Sequence, residues 1–147
     1  MTCTFFGHRD TPMGIRERLR AALIELIDEG VDEFLVGTEG GFDGMAYSVL
    51  CELKSSYPQI SVSRVLAYLP TKKEEGTCFN ENDTIYPEGL ESVPRRFAIS
   101  KRNEWLVKSC DIAVCYIERS QGGAAKFASL AKKKGKRVIN LSESFSI

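Results

Sequence analysis

The sequence predicts an α/β fold: a mostly parallel sheet with helices on its faces, giving three layers in a single domain. Two observations predict it. Short runs rich in Val, Ile, Leu and Phe alternate with longer segments whose apolar residues recur at helical spacing. Three of the strand-to-helix junctions, "GHRD", "GTEGGFDG" and "ERSQGG", are unusual turns that combine glycine with polar or charged residues. The length, 147 residues, suits one domain over 1–147.

Residues 3–6 form a short apolar run, the first strand. Thr11-Pro12 reads as a helix start, with a hydroxyl cap and proline at the first helical position. Over 13–29, Ile15, Leu19, Ala22, Leu23, Leu26 and Ile27 recur at helical spacing, and Gly30 ends the helix. Residues 33–36 ("EFLV") are a second strand. A helix over 43–57 buries Met45, Ala46, Val49, Leu50 and Leu53 and is closed by Pro58. Residues 60–69 are a third strand. Residues 70–94 break the pattern: they are polar, rich in turn formers, and read as a long irregular excursion with one short strand near 84–86. A helix over 97–109 is expected to bury Ile99, Trp105 and Leu106. "DIAVCY" at 111–116 is a strongly apolar strand. A helix over 123–134 is expected to bury Ala124, Phe127, Ala128 and Ala131, and a last strand follows over 137–141.

Composition excludes several classes. Twenty basic and twenty acidic residues cancel. This balance, with no aromatic–basic stripe in the linear sequence, counts against nucleic acid as a partner. No apolar run approaches the roughly 20 residues that span a bilayer, so no membrane partner is expected. The N-terminus lacks the pattern of a secretory signal, which predicts a cytoplasmic protein. The five cysteines, Cys3, Cys51, Cys78, Cys110 and Cys115, include no C-x-x-C. They read as reduced, mostly buried thiols rather than a disulfide framework or a zinc site. No metal or cofactor is implied. Exposed helix faces allow a homodimer.

In a parallel sheet with right-handed crossovers the three glycine turns share the carboxyl edge, where helix N-termini converge on ligands. Gly7 supplies either a turn conformation or close approach to an anion. His8 reads as a surface or capping residue, or as part of a site. Arg9, beside helix N-termini, suits bidentate phosphate contact. Asp43 reads equally as a helix cap or as a partner for a ribose hydroxyl. Arg95, Arg96, Lys101 and Arg102 form a basic cluster at a helix start, followed by Asn103. The cluster reads as a solvated helix start or as an anion site, since arginines there oppose the macrodipole and invite an anionic partner. "KKKGKR" at 132–137 complements a helix C-terminus and reads as solvated surface. The dinucleotide G-x-G-x-x-G and the Walker A pattern are absent.

Together, "TFFGHRD", "GTEGGFDGMA", "RN-x-W-L-V-x-x-x-D" and "GGAAKFA" resemble the YpsA-like branch of the SLOG superfamily, which includes DprA and the LOG phosphoribohydrolases. The resemblance covers nearly the whole chain. It implies a Rossmann-like domain and a pocket for nucleotides or nucleotide-derived ligands. Carried over by motif, that pocket uses Gly7, His8, Arg9, Gly37, Gly41, Asp43, Arg96, Asn103, Gly122, Gly123 and Lys126. LOG enzymes carry P-G-G-x-G-T-x-x-E with a catalytic glutamate. Aligning the paired glycines puts Gln121, Ala125, Lys126 and Ser129 at the proline, third glycine, threonine and glutamate positions. Serine cannot replace a carboxylate in acid–base work, which argues against LOG-type hydrolysis. The expected function is binding or sensing of a nucleotide-like ligand at the carboxyl edge. The alternatives are a hydrolase cleaving an N-glycosidic or phosphate bond of a nucleotide derivative, and a DprA-like nucleic-acid or protein-interaction module.

Overall fold

A computed structural model describes residues 1–69 and 83–142. The strands are β1 (Thr2–Gly7), β2 (Glu33–Val36), β3 (Ser61–Val65), β4 (Thr84–Ile85), β5 (Ile112–Tyr116) and β6 (Arg137–Asn140). The helices are α1 (Arg16–Asp28), α2 (Gly41–Ser56), α3 (Ala98–Ser109) and α4 (Gly123–Lys133). The strands make one sheet of order β4-β3-β2-β1-β5-β6, and every pairing is parallel. The order reverses between β1 and β5, so the crevice beyond their carboxyl ends is the topological switch point.

Alternation along the central strands builds the layers. Cys3 and Phe5 of β1, with Ile112, Val114 and Tyr116 of β5, face the apolar sides of α1 and α2. Phe6, Ala113 and Cys115 face α3 and α4. β5 is buried at every position, as expected of a strand covered on both faces. Asn140 pins the end of β6 to the end of β5: its Nδ2 donates to Ile117 O (2.9 Å) and its Oδ1 accepts from Ile117 N (3.0 Å).

Several local expectations are corrected. Thr11 does not cap a helix: its hydroxyl donates to His8 O (2.5 Å), closing the turn on itself. The chain then passes through a 3-10 turn, Met13–Ile15, before α1 begins. The third strand ends at Val65 rather than 69. Of the excursion, 70–82 lie outside the described residues, while 83–94 carry β4 and a 3-10 turn, Leu90–Ser92. The buried stripe of α3 is Ala98, Arg102, Leu106 and Val107, and Ile99 and Trp105 are only partly covered. In α4, Ala125 is buried in place of Ala124.

Cys3, Cys110 and Cys115 are buried and Cys51 is exposed; Cys78 lies outside the described residues. Burial pushes the Cys115 thiol up to about 12. Among the described residues no helix is long and apolar enough to cross a membrane.

Candidate functional site

The turn after β1 brings Gly7, His8 and Arg9 to the switch point. Gly7 has no room for a Cβ, because the ring of Phe42 occupies that space and ties the start of α2 to β1. His8 is 4% exposed, not a surface residue. Its Nε2 accepts a hydrogen bond from Glu118 N (3.1 Å), latching the β1 turn to the β5 turn, and its ring meets Tyr116 edge-on. Burial, and then Arg119, hold its pKa below 6.5, which keeps the accepting nitrogen unprotonated. The Arg9 side chain is exposed and makes no ion pair or hydrogen bond among the described residues.

The turn after β2 places two charges around Gly37. A Cβ there would stand 2.7 Å from Asp43 Oδ2 and 3.2 Å from Arg102 Cζ. Asp43, in the first turn of α2, is buried, and its Oδ2 accepts from Glu39 N (3.1 Å). Burial raises its pKa from 3.8 to about 6, against the opposing pull of Arg102. Arg102 is 2% exposed. Its Nε donates to Asn103 Oδ1 (2.9 Å), and its Nη1 to Val65 O (2.9 Å) and Thr38 Oγ1 (3.4 Å). Among the described residues its Nη2 has no hydrogen-bond partner, yet it is not sealed in the interior. Burial pulls the Arg102 pKa below its ordinary value, with Asp43 and Glu39 acting the other way, and an arginine stays cationic throughout the neutral range.

The turn after β5 ends in Gly122, the N-cap of α4, at φ 103°. No side chain caps this helix and no acidic residue lies in its first turn. Arg119 of the same turn pairs with Asp10 at 3.3 Å, both well exposed.

These turns surround one cleft of about 340 Å³. It brings together Gly7, His8, Arg9, Gly37, Asp43, Asn103, Gly122 and Gly123 from the expected set. Gly41, Arg96 and Lys126 do not line it. Gly41 is packed beneath the turn, donating its N–H to Arg9 O (3.0 Å). Arg96 lies over the Phe97 ring and Lys126 over the Phe127 ring. The cleft also takes in Glu39, Arg102 and Arg119. Arg102 is the residue that sequence reading left in a solvated basic cluster. Its spacing held the signal: it stands four residues after Ala98 and four before Leu106, on the buried stripe. Among the described residues no cluster of three or more His, Cys, Asp or Glu could hold a metal.

Parallel strands, a switch-point crevice and helix N-termini around it define a Rossmann-like α/β protein with its cleft at the carboxyl edge. Residues 3–142 match the YspA SLOG family (YpsA), and the chain belongs to that family. It is similar to UPF0398 protein BH1768 of Halalkalibacterium halodurans, with 26% identity over 132 residues that cover 82% of this chain and 68% of the relative. Two solved structures share the fold at a TM-score of 0.63, each over 95% of this chain. One is DNA processing protein A from Helicobacter pylori, described for its single-stranded DNA binding mode, at 14% identity; the other is DprA from Streptococcus pneumoniae, at 12%. This chain spans 64% and 49% of their lengths, respectively.

The expectation against nucleic acid does not stand. The Helicobacter protein, which shares this fold, binds single-stranded DNA. The physical error was to use a net charge, which averages over the whole surface and says nothing of a local field. The linear sequence also hid an aromatic–basic grouping that folding assembles. Arg95 Cζ lies 4.3 Å from the centre of the Tyr68 ring, beside Arg96 and Phe97.

Proposed function

We propose that the cleft binds a nucleotide or nucleotide-derived ligand, with a phosphate seated between the N-terminus of α4 and Arg102. One observation carries this reading: a guanidinium that is almost wholly buried lines the same cleft as an uncapped, acid-free helix start. Free N–H groups and the positive end of the dipole attract an anion there, and the arginine adds a charge-assisted bond. Membership of the SLOG family supports the nucleotide class. A second reading places that nucleotide within a single strand of nucleic acid, favoured by the likeness to the Helicobacter protein.

Binding without turnover is the expected outcome. Ser129, at the place of the LOG glutamate, is exposed on α4 and outside the cleft. The test is thermal melting with AMP, ADP-ribose, NAD and cyclic nucleotides, with adenine release from AMP followed in parallel. A ligand at 100 times its Kd stabilises the folded state by about 2.7 kcal/mol. No shift with any of them, or a shift that survives Arg102→Met, overturns the reading. Sustained adenine release lost in Asp43→Asn replaces a sensor with a hydrolase.

A further inference from the structure

Outside the cleft, the residues just before α3 form a surface that the nucleotide reading leaves unused. Arg95, Arg96 and Phe97 make a 3-10 turn leading directly into the helix. The Tyr68 hydroxyl donates to Arg95 O (3.3 Å), joining the chain after β3 to this turn. The Arg95 guanidinium covers the Tyr68 ring, and Arg96 Cζ lies 4.8 Å from the centre of the Phe97 ring. Phe97 is 47% exposed, among the few large apolar side chains left open to solvent. Neither arginine makes an ion pair among the described residues. The turn is also continuous with the cleft: Ile99, two residues on, lines it, and so does Arg102, one helical turn further.

We infer that this strip is a stacking platform for single-stranded nucleic acid leading out of the cleft. Every base has a π face, and aromatic rings and guanidinium planes both stack on it without regard to sequence. The two arginines alongside, without an ion pair among the described residues, supply charge for the backbone. A ring already covered by a guanidinium still serves, since the outer face of the guanidinium can take the base. A free mononucleotide would fill the cleft and leave the strip empty. A strand would use both. The inference rests on the second functional reading for where the strand enters, and the test separates the two.

The probes are a fluorescent ten-nucleotide oligothymidine, followed by anisotropy, and unlabelled dTMP as competitor. The expected result is that the oligonucleotide binds at least about ten-fold tighter than dTMP at the same ionic strength. Phe97→Ala should weaken the oligonucleotide about ten-fold or more, as loss of one stacked base does, and leave dTMP unchanged. Phe97→Trp, which keeps a stacking face, should retain binding. The double change Arg95→Ala, Arg96→Ala should flatten the log–log salt slope by about 1.4. Melting of each free variant identifies any that fails to fold. Oligonucleotide affinity equal to that of dTMP overturns the proposal. So does affinity that survives both Phe97→Ala and the double arginine change. If the oligonucleotide binds and loses affinity in these variants while dTMP never binds, the strip stands and the cleft reading fails.

Discussion

The chain uses one backbone device twice and surrounds it differently. Gly40-Gly41 and Gly122-Gly123 each place a glycine at a helix N-cap in a conformation that favours glycine: φ 94°, ψ 178° before α2, and φ 103°, ψ 170° before α4. The first pair is filled by the protein itself. A Cβ on Gly40 would stand 2.7 Å from Arg9 Cγ, one on Gly41 2.5 Å from Arg9 O, and Asp43 already occupies the donor at Glu39 N. The second pair is open. A Cβ on Gly122 or Gly123 meets nothing within 4 Å, and no carboxylate lies in the first turn of α4. Two turns of nearly the same backbone conformation therefore differ in their surroundings: one braces the loop, and the other is the turn that the proposed function assigns to an anion.

The largest effect is expected where the turn is filled. Gly41→Ala must displace a backbone carbonyl, and should destabilise the protein by about 3 kcal/mol, at the upper end of overpacking costs. Chemical denaturation measures it. A cost below about 0.5 kcal/mol would mean the brace is slack and the contrast false.

The next tests the charge inside the filled turn. Folding raises the Asp43 pKa from 3.8 to about 6, so the folded state favours the protonated acid. Its ionisation therefore opposes folding above pH 6 by up to about 3 kcal/mol, a penalty that fades as pH falls towards 3.8. Asp43→Asn should gain stability relative to the native protein as pH rises from about 4 to 7. It should also tighten anion binding at pH 8 by removing a negative charge near Arg102. His8 acts in the opposite sense: its lowered pKa makes it stabilising at neutral pH and less so as pH falls. The variant leaves that term in place, so the difference between the two melting profiles isolates Asp43. Parallel profiles would sink the assignment.

Arg9→Ala should leave melting of the free protein within about 0.5 kcal/mol, since an exposed, unpaired charge contributes little. Affinity for a nucleotide should fall by about 1.5–3 kcal/mol by titration calorimetry. Unfolding with affinity spared in the folded fraction would make Arg9 structural.

Smallest of all, Gly123→Ala should leave stability the same or slightly higher, because alanine suits a helix better than glycine and the site has room. Its methyl group should nonetheless hold a phosphate off the helix start and cost about 1 kcal/mol of affinity, the net worth of one hydrogen bond. Equal affinity would remove the open turn from the site.

Much of this was legible without coordinates. Periodicity placed the four helices of the described residues and the central strands, because a parallel sheet writes its burial as short apolar runs between amphipathic segments. The glycine turns marked the edge that carries the cleft. What escaped was phase and distance. Arg102 was read by its charge rather than by its place four residues from Ala98 and Leu106. Arg96 and Lys126 were carried over by motif, although their positions turn them away from the cleft. Asp43 was left between two roles, since the donor it accepts from belongs to a loop. The pairing of Tyr68 with Arg95 spans 27 residues and no local pattern encodes it.

The sealed thiols have a practical consequence. Cys3 lies on β1 and Cys115 on β5, one strand on each side of the seam along which the sheet reverses its order. An alkylating reagent can reach Cys51 at once, but must wait for the helix layers to lift from the sheet before it reaches these two, Cys3 under α1 and α2 and Cys115 under α3 and α4. The lag between fast and slow labelling is thus a built-in clock for the opening of each face of the central strands, readable by mass spectrometry without any introduced probe.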